Sequence, residues 1–279
     1  MSRGERLRRT PPGKRRHAAA VMARRRTGGP EDLWCRRRVD VWRAALDGVP
    51  DRLLAESEVL LSADERHRAA EFFFERDRRR FIVGRGILRL LLARYLDRPA
   101  ADIRFRYGPN GKPALAETPP RPLHFNLAHS DAIAVYAFTG VGEVGVDVER
   151  VRELPDWEQI AATYFSRAEN ARLRAAPPDR RQQAFFEAWT RQEAWLKAVG
   201  VGLGGSPGGP TDTVGEPGFS IHPLAIDEGY AGAVAVNSAA REIAAFDWDN
   251  ITAGTPDGAG LRVRQLRLEQ GMELGGQFL

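Results

Sequence analysis

From Glu143 to Arg150 the valines at 144, 146 and 148 alternate with Gly145, Asp147 and Glu149. Side chains of a strand point alternately to its two faces, so a strand here puts the valines on one face and both carboxylates on the other. The two acids then stand about 7 Å apart at the backbone, within side-chain reach of one hard cation. Holding two carboxylates together on a sheet face takes a metal ion or several arginines. Taken alone, the same spacing also fits an exposed polar face.

Other segments follow familiar periods. Val39–Ala44 reads as a strand and Pro50–Leu61 as a loop, after which Ser62 caps a helix over 63–76 with Asp64 and Glu65 in its first turn. Phe81, Gly84, Leu88, Leu91, Leu92 and Tyr95 recur at helical spacing and predict a second helix over 77–96 with a basic outer face. Alternation over Asp102–Tyr107 predicts a strand closed by a Gly108–Gly111 turn. Residues 132–139 and 143–150, joined through Gly140 and Gly142, read as an antiparallel hairpin. Helices at 157–164, from near Ser166, and at 180–199 then precede strands at 218–222, 230–236 and 242–248, with a Gly- and Pro-rich loop over 202–218. Helix followed by antiparallel strands, twice, predicts an α+β protein of two similar halves.

Those halves are expected at 31–142 and 143–248, flanked by a leader over 1–30 and an appendage over 249–279. The leader is dense in arginine, with Glu5 its only acid, and is read as solvated rather than as a nucleic-acid arm. A hydrophobic content of 43% over 279 residues supplies a core. No apolar run approaches the roughly 18 residues of a membrane span. One cysteine, Cys35, leaves no intrachain disulfide or cysteine-based metal cluster, and a cytoplasmic location is expected. Lysine is so rare beside arginine that Lys112 and Lys197 stand out.

The long helix adds a third carboxylate. Trp189, Glu193 and Lys197 lie at i, i+4 and i+8 and form one stripe, an arrangement that an ordinary salt-bridged helix face also shows. In combination the pieces are more specific. Gly145-Val-Asp-Val-Glu149, followed by Trp189-Thr-Arg-Gln-Glu-Ala-Trp-Leu-Lys197, resembles the paired signature of the Sfp-type 4′-phosphopantetheinyl transferases. Phe125-Asn-Leu-Ala-His-Ser130, Gly111-Lys-Pro113, the arginine-rich stretch Asp77–Arg89 and Glu228-Gly-Tyr230 resemble further motifs of that family in the same order. The resemblance spans roughly residues 60–248.

This resemblance implies two similar α/β halves related by pseudo-two-fold symmetry, with the active site in the cleft between them. It implies transfer of the phosphopantetheine arm of coenzyme A to a serine of an apo acyl or peptidyl carrier protein, by a monomer needing neither nucleic acid nor membrane. Asp147, Glu149 and Glu193 are the implied Mg²⁺ ligands. Lys197 is implied at the pyrophosphate or in handling the serine proton, with Glu193 the other candidate acceptor, and Arg80, Lys112 and His129 are the implied phosphate contacts. Two positions depart from the family pattern: Gln192 stands where a lysine is usual, and Ala128 where a hydroxyl is frequent. Three other functions use the same features: a metal-dependent phosphodiester hydrolase, a coenzyme A-binding homologue without turnover, and an arginine-driven nucleic-acid binder.

Overall fold

The computed structural model describes residues 32–108, 111–200, 218–237 and 239–248. The leader over 1–30, nearly all of the 202–218 loop and the appendage over 249–279 lie outside the described residues.

Two sheets pack on each other, and each carries a long helix on its outer face. The first sheet has the order β4 (His124–Ser130), β5 (Ile133–Thr139), β1 (Arg38–Ala45), β9 (Glu242–Trp248). Its strands are antiparallel except for β9, which lies parallel to β1. The second has the order β6 (Val144–Arg150), β8 (Tyr230–Asn237), β7 (Phe219–Pro223), all antiparallel. Strand alternation sorts the core into layers. Trp42, Ala44, Tyr136 and Phe138 face Val83, Ile87, Leu88 and Leu91 of α4 (Glu75–Leu96). On the opposite side of the same strands, Val39, Val41, Val135 and Ala137 meet Val144, Val146 and Val148. The outer face of the second sheet, with Ala233 and Ala235, packs on Ala194 and Ala198 of α7 (Arg181–Val199). The expected one-sided burial of the three valines is therefore observed, and it is what glues the sheets together.

Several local expectations change. The segment read as a loop over Pro50–Leu61 contains a helix, α2 (Asp51–Leu60), because burying Leu53 and Ser57 against α4 outweighs its polar composition. Ser62 does cap the next helix, α3 (Ala63–Ala70), through a capping box with Glu65, but that helix stops at Ala70 and α4 begins only at Glu75. The intervening Phe72, Phe73 and Phe74 have no core to enter, and Phe73 is 91% exposed. The strand expected from Asp102 is confined to β2 (Phe105–Tyr107), which pairs with β3 (Pro113–Leu115), since Ala100–Asp102 form a 3₁₀ turn.

The expected hairpin of 132–139 with 143–150 does not form. β5 is already paired on both edges, by β4 and β1, so β6 finds its partner in β8. The Gly140–Gly142 turn instead carries the chain from one sheet to the next; Gly142 has φ +73°, and a side chain at Gly140 would strike the Trp34 ring. Strand 242–248, grouped with the second half by its order in the chain, is an edge of the first sheet. The helices expected at 157–164, after Ser166 and at 180–199 are α5 (Trp157–Tyr164), α6 (Arg167–Ala175), capped by Ser166, and α7.

Candidate active site

The acidic strand and the long helix meet backbone to backbone. At Gly145 a Cβ would lie 2.0 Å from the Ala194 carbonyl oxygen and 2.4 Å from the Ala198 nitrogen, so only glycine lets α7 approach this closely. That approach brings Lys197 Nζ to 2.6 Å from Asp147 Oδ1, with the Val146 carbonyl 3.5 Å away. Asp147 is 4% exposed, and burial pushes its carboxyl up to about 7 despite the opposing pull of Lys197. Burial likewise raises Glu193, again against Lys197. Asp147 Oδ2 and Glu193 Oε1 are buried with no hydrogen-bond partner. Glu149, nearer the surface, accepts a 2.7 Å bond from Ser130 Oγ and faces Arg152 at 3.7 Å.

This donor set fits a hard divalent cation. The ligands are carboxylate oxygens, two of them lack partners, and the charge of two of the three acids is disfavoured by burial. Among the described residues no three such groups are gathered into a ready-made metal cage. Lys197 holds one Asp147 oxygen, while Ser130 and Arg152 engage Glu149.

Alternation along β4 distributes its side chains to two places. Phe125 and Leu127 turn toward α4 and His129 follows them, whereas Asn126, Ala128 and Ser130 turn toward the second sheet. Since β6 hydrogen-bonds only β8 in its ladder, its free edge is finished by β4 side chains: Asn126 Oδ1 accepts the Val146 N–H at 2.9 Å, and Ser130 Oγ accepts the Arg150 N–H at 3.1 Å. The two sheets are thus stitched in register beside Asp147 and Glu149.

On the α4 side His129 lines a cavity of about 310 Å³ together with Arg68, Arg80, Phe81, Arg85 and Tyr136. Arg80 donates to both oxygens of Asp47 (2.8 and 2.5 Å) and lies 2.7 Å from Asp131, contacts that hold its guanidinium more firmly protonated than usual. The His129 ring reaches the surface through the cavity mouth, yet desolvation by the surrounding walls is the main cause lowering its pKa, with Lys197 and Arg85 adding to it.

Of the residues expected at the site, Asp147, Glu193 and Lys197 adjoin one another, Glu149 lies on the same strand two residues on, and His129 and Arg80 share the cavity. Lys112 does not line it. Its ammonium donates to the Lys197 carbonyl at 2.7 Å and pairs with Glu143 at 3.8 Å, so here it fastens the C-terminal end of α7, a favourable place for a cation. Sequence reasoning overlooked Arg85, Asn126 and Ser130. The signal for Arg85 was an arginine inside the apolar stripe of α4, one turn from Phe81; for the other two it was their parity on β4, which appears only once that segment is seen to be a strand.

A family model described as the 4′-phosphopantetheinyl transferase superfamily matches residues 143–227, and one described as 4′-phosphopantetheinyl transferase, N-terminal, matches residues 51–140. The 4′-phosphopantetheinyl transferase HetI of Nostoc sp. is 36% identical over 219 residues, covering 75% of this chain and 89% of HetI. The 4′-phosphopantetheinyl transferase Sfp of Bacillus subtilis is 29% identical over 55% of this chain and 68% of its own length. For the 4′-phosphopantetheinyl transferase AcpT of Escherichia coli the figures are 38%, 44% and 58%.

Proposed function

The chain belongs to the 4′-phosphopantetheinyl transferase superfamily, and from that premise we propose that it transfers the phosphopantetheine arm of coenzyme A to a serine of an apo acyl or peptidyl carrier protein, with Mg²⁺. The observation that carries the reading is the pair of buried, unpartnered carboxylate oxygens on Asp147 and Glu193, gathered around Lys197. A cavity nearby is lined by Arg68, Arg80, Arg85 and His129. Acids that need a cation, next to bases that need an anion, suit a metal–pyrophosphate substrate.

In the reaction the serine Oγ attacks the β-phosphorus, the bond from that phosphorus to the bridging oxygen breaks, and 3′,5′-ADP departs. Asp147, Glu149 and Glu193 would hold Mg²⁺, which supplies charge neutralisation at the pyrophosphate. Lys197 already donates to Asp147 beside the acids, a place from which it would stabilise negative charge on the pyrophosphate. Glu193 keeps a free oxygen and a raised pKa, which suits the acceptor of the serine proton. His129 and the cavity arginines bind the nucleotide end, and Lys112 keeps the end of α7 in place.

Among the described residues no helix is long and apolar enough to cross a membrane, in keeping with a cytoplasmic enzyme. The test is mass spectrometry of an apo carrier protein incubated with the enzyme, coenzyme A and Mg²⁺. A gain of one phosphopantetheine, lost with Glu193→Ala and with a chelator, is expected. No gain over a panel of fatty-acid, polyketide and peptide carriers would refute it.

A further inference from the structure

Two acids of the site are each held through one oxygen. Lys197 takes Oδ1 of Asp147 at 2.6 Å and leaves Oδ2 without a partner. Ser130 Oγ takes Oε2 of Glu149 at 2.7 Å, and Arg152, 56% exposed, lies 3.7 Å from the same oxygen, beyond hydrogen-bond length. Among the described residues Ser130 therefore gives Glu149 its only hydrogen bond, and neither contact falls on Oε1. A glutamate side chain turns about three bonds, so a half-buried one faces a set direction only where a partner fixes it.

The Ser130 hydroxyl is itself fixed. It has one proton to give, and its oxygen already accepts the Arg150 N–H at 3.1 Å, so the proton goes to Glu149. Ser130 ends β4 on the side that turns toward the second sheet. The next residue, Asp131, has φ +50° and is tied to Arg150 on β6 and to Arg80 on α4, which clamps the turn from both sides. Finishing the free edge of β6 accounts for the bond to the Arg150 N–H, but it does not call for a bond to the neighbouring carboxylate. Asn126 shows the difference, since it completes the same edge at Val146 without touching Asp147 or Glu149. Hydrogen bonds from behind a metal-binding carboxylate orient it toward the ion. Resting on the transferase reading, we infer that Ser130 is a positioning residue for the metal: it holds Glu149 by Oε2 and so keeps Oε1 for the divalent cation that Asp147 and Glu193 share.

The experiment uses the full-length protein freed of metal, with Mn²⁺ as the probe. Electron paramagnetic resonance reads the free Mn²⁺ in the presence of stoichiometric coenzyme A and no carrier, so that nothing turns over. Ser130→Ala is expected to raise the Mn²⁺ Kd by roughly 10- to 100-fold, the usual effect of losing such a partner, and Ser130→Thr, which keeps the hydroxyl, to restore most of it. With Glu149→Ala already present, Ser130→Ala is expected to change Kd by less than about twofold, because the hydroxyl acts through that carboxylate. In turnover, Ser130→Ala should raise the Mg²⁺ concentration for half-maximal rate by the same factor, with kcat at saturating Mg²⁺ and KM for the carrier little changed. An unchanged Kd in Ser130→Ala, an equal loss in Ser130→Thr, or an equal loss with Glu149 already removed would overturn the inference and leave Ser130 as edge pairing, visible only as a lower Tm. Should Ser130→Ala not fold, Ser130→Cys, with its weaker donor, decides: a raised Kd supports the role, an unchanged one refutes it. A wild type that binds no Mn²⁺ also refutes it. Metal binding that depends on Ser130 without modification of any carrier sinks the transferase reading and not this role, whereas carrier modification with a metal Kd indifferent to Ser130 does the reverse.

Discussion

Replacing Gly145 by alanine tests the central contact of the site. The backbone there has an ordinary φ, so the cost is one of space: the new Cβ would sit 2.0 Å from the Ala194 carbonyl oxygen, 2.4 Å from the Ala198 nitrogen and 3.0 Å from the Lys197 carbonyl carbon. All three are helix backbone and cannot swing aside. To restore ordinary contact α7 has to withdraw by about 1.4 Å at Ala194. Overpacking of this kind costs about 1–3 kcal/mol, which for a domain of this size lowers Tm by roughly 3–10 °C. The catalytic loss is expected to be larger in proportion, because Glu193 and Lys197 ride on the displaced helix while Asp147 stays on β6. A misplacement near 1 Å costs about 100-fold in rate. Thermal melting followed by circular dichroism, with carrier modification by mass spectrometry, gives both readouts. A variant within about 1 °C of wild type and within about threefold in kcat/KM, differences too small for a 1 Å shift, would refute the close packing of α7 on β6 and the site geometry built on it.

Other perturbations separate architecture from chemistry. Asn126→Leu keeps the branched shape but strips the Val146 N–H of its buried acceptor, so a stability loss of about 1–3 kcal/mol is expected by denaturant titration, and no loss would mean the sheets are not stitched there. Glu193→Gln removes a buried charge whose Oε1 has no partner: transfer should fall by roughly 100- to 1,000-fold, while Tm of the metal-free protein holds or rises. A Tm clearly below wild type would show that Glu193 is a structural acid. The Arg80 hydrogen bond holds the Asp47 carboxyl below its usual range, so its stabilisation is fully present above the unfolded value of about 3.9 and fades as pH falls through the lower folded value. Asp47→Asn is therefore expected to melt below wild type at neutral pH, with the gap narrowing as pH falls below the unfolded value; a gap that does not narrow in acid would contradict an ionic origin.

The valine alternation of 143–150 is local information, and it sufficed to separate the carboxylate face from the buried face. Spacing on α7 likewise put Glu193 and Lys197 on one stripe, and strong helical periods located α4 to α7 with small errors. What a strand pairs with is a different kind of fact. β6 refused the adjacent β5 because both edges of β5 were taken, and β9 returned to β1 across the whole chain, choices set by which edges remain free once the sheets assemble. α2 was missed because its helix is held by packing on α4 rather than by its own composition. The same division holds for the site. Residue identity and period named the acids, but whether a given cation is free or already neutralised depends on neighbours far away in sequence: Asp47 and Asp131 balance Arg80, the Lys197 carbonyl occupies Lys112, and the rings of Phe105 and Tyr107 stand against Arg85. Charge type is written in the chain, whereas charge balance is a sum over space and exists only after folding.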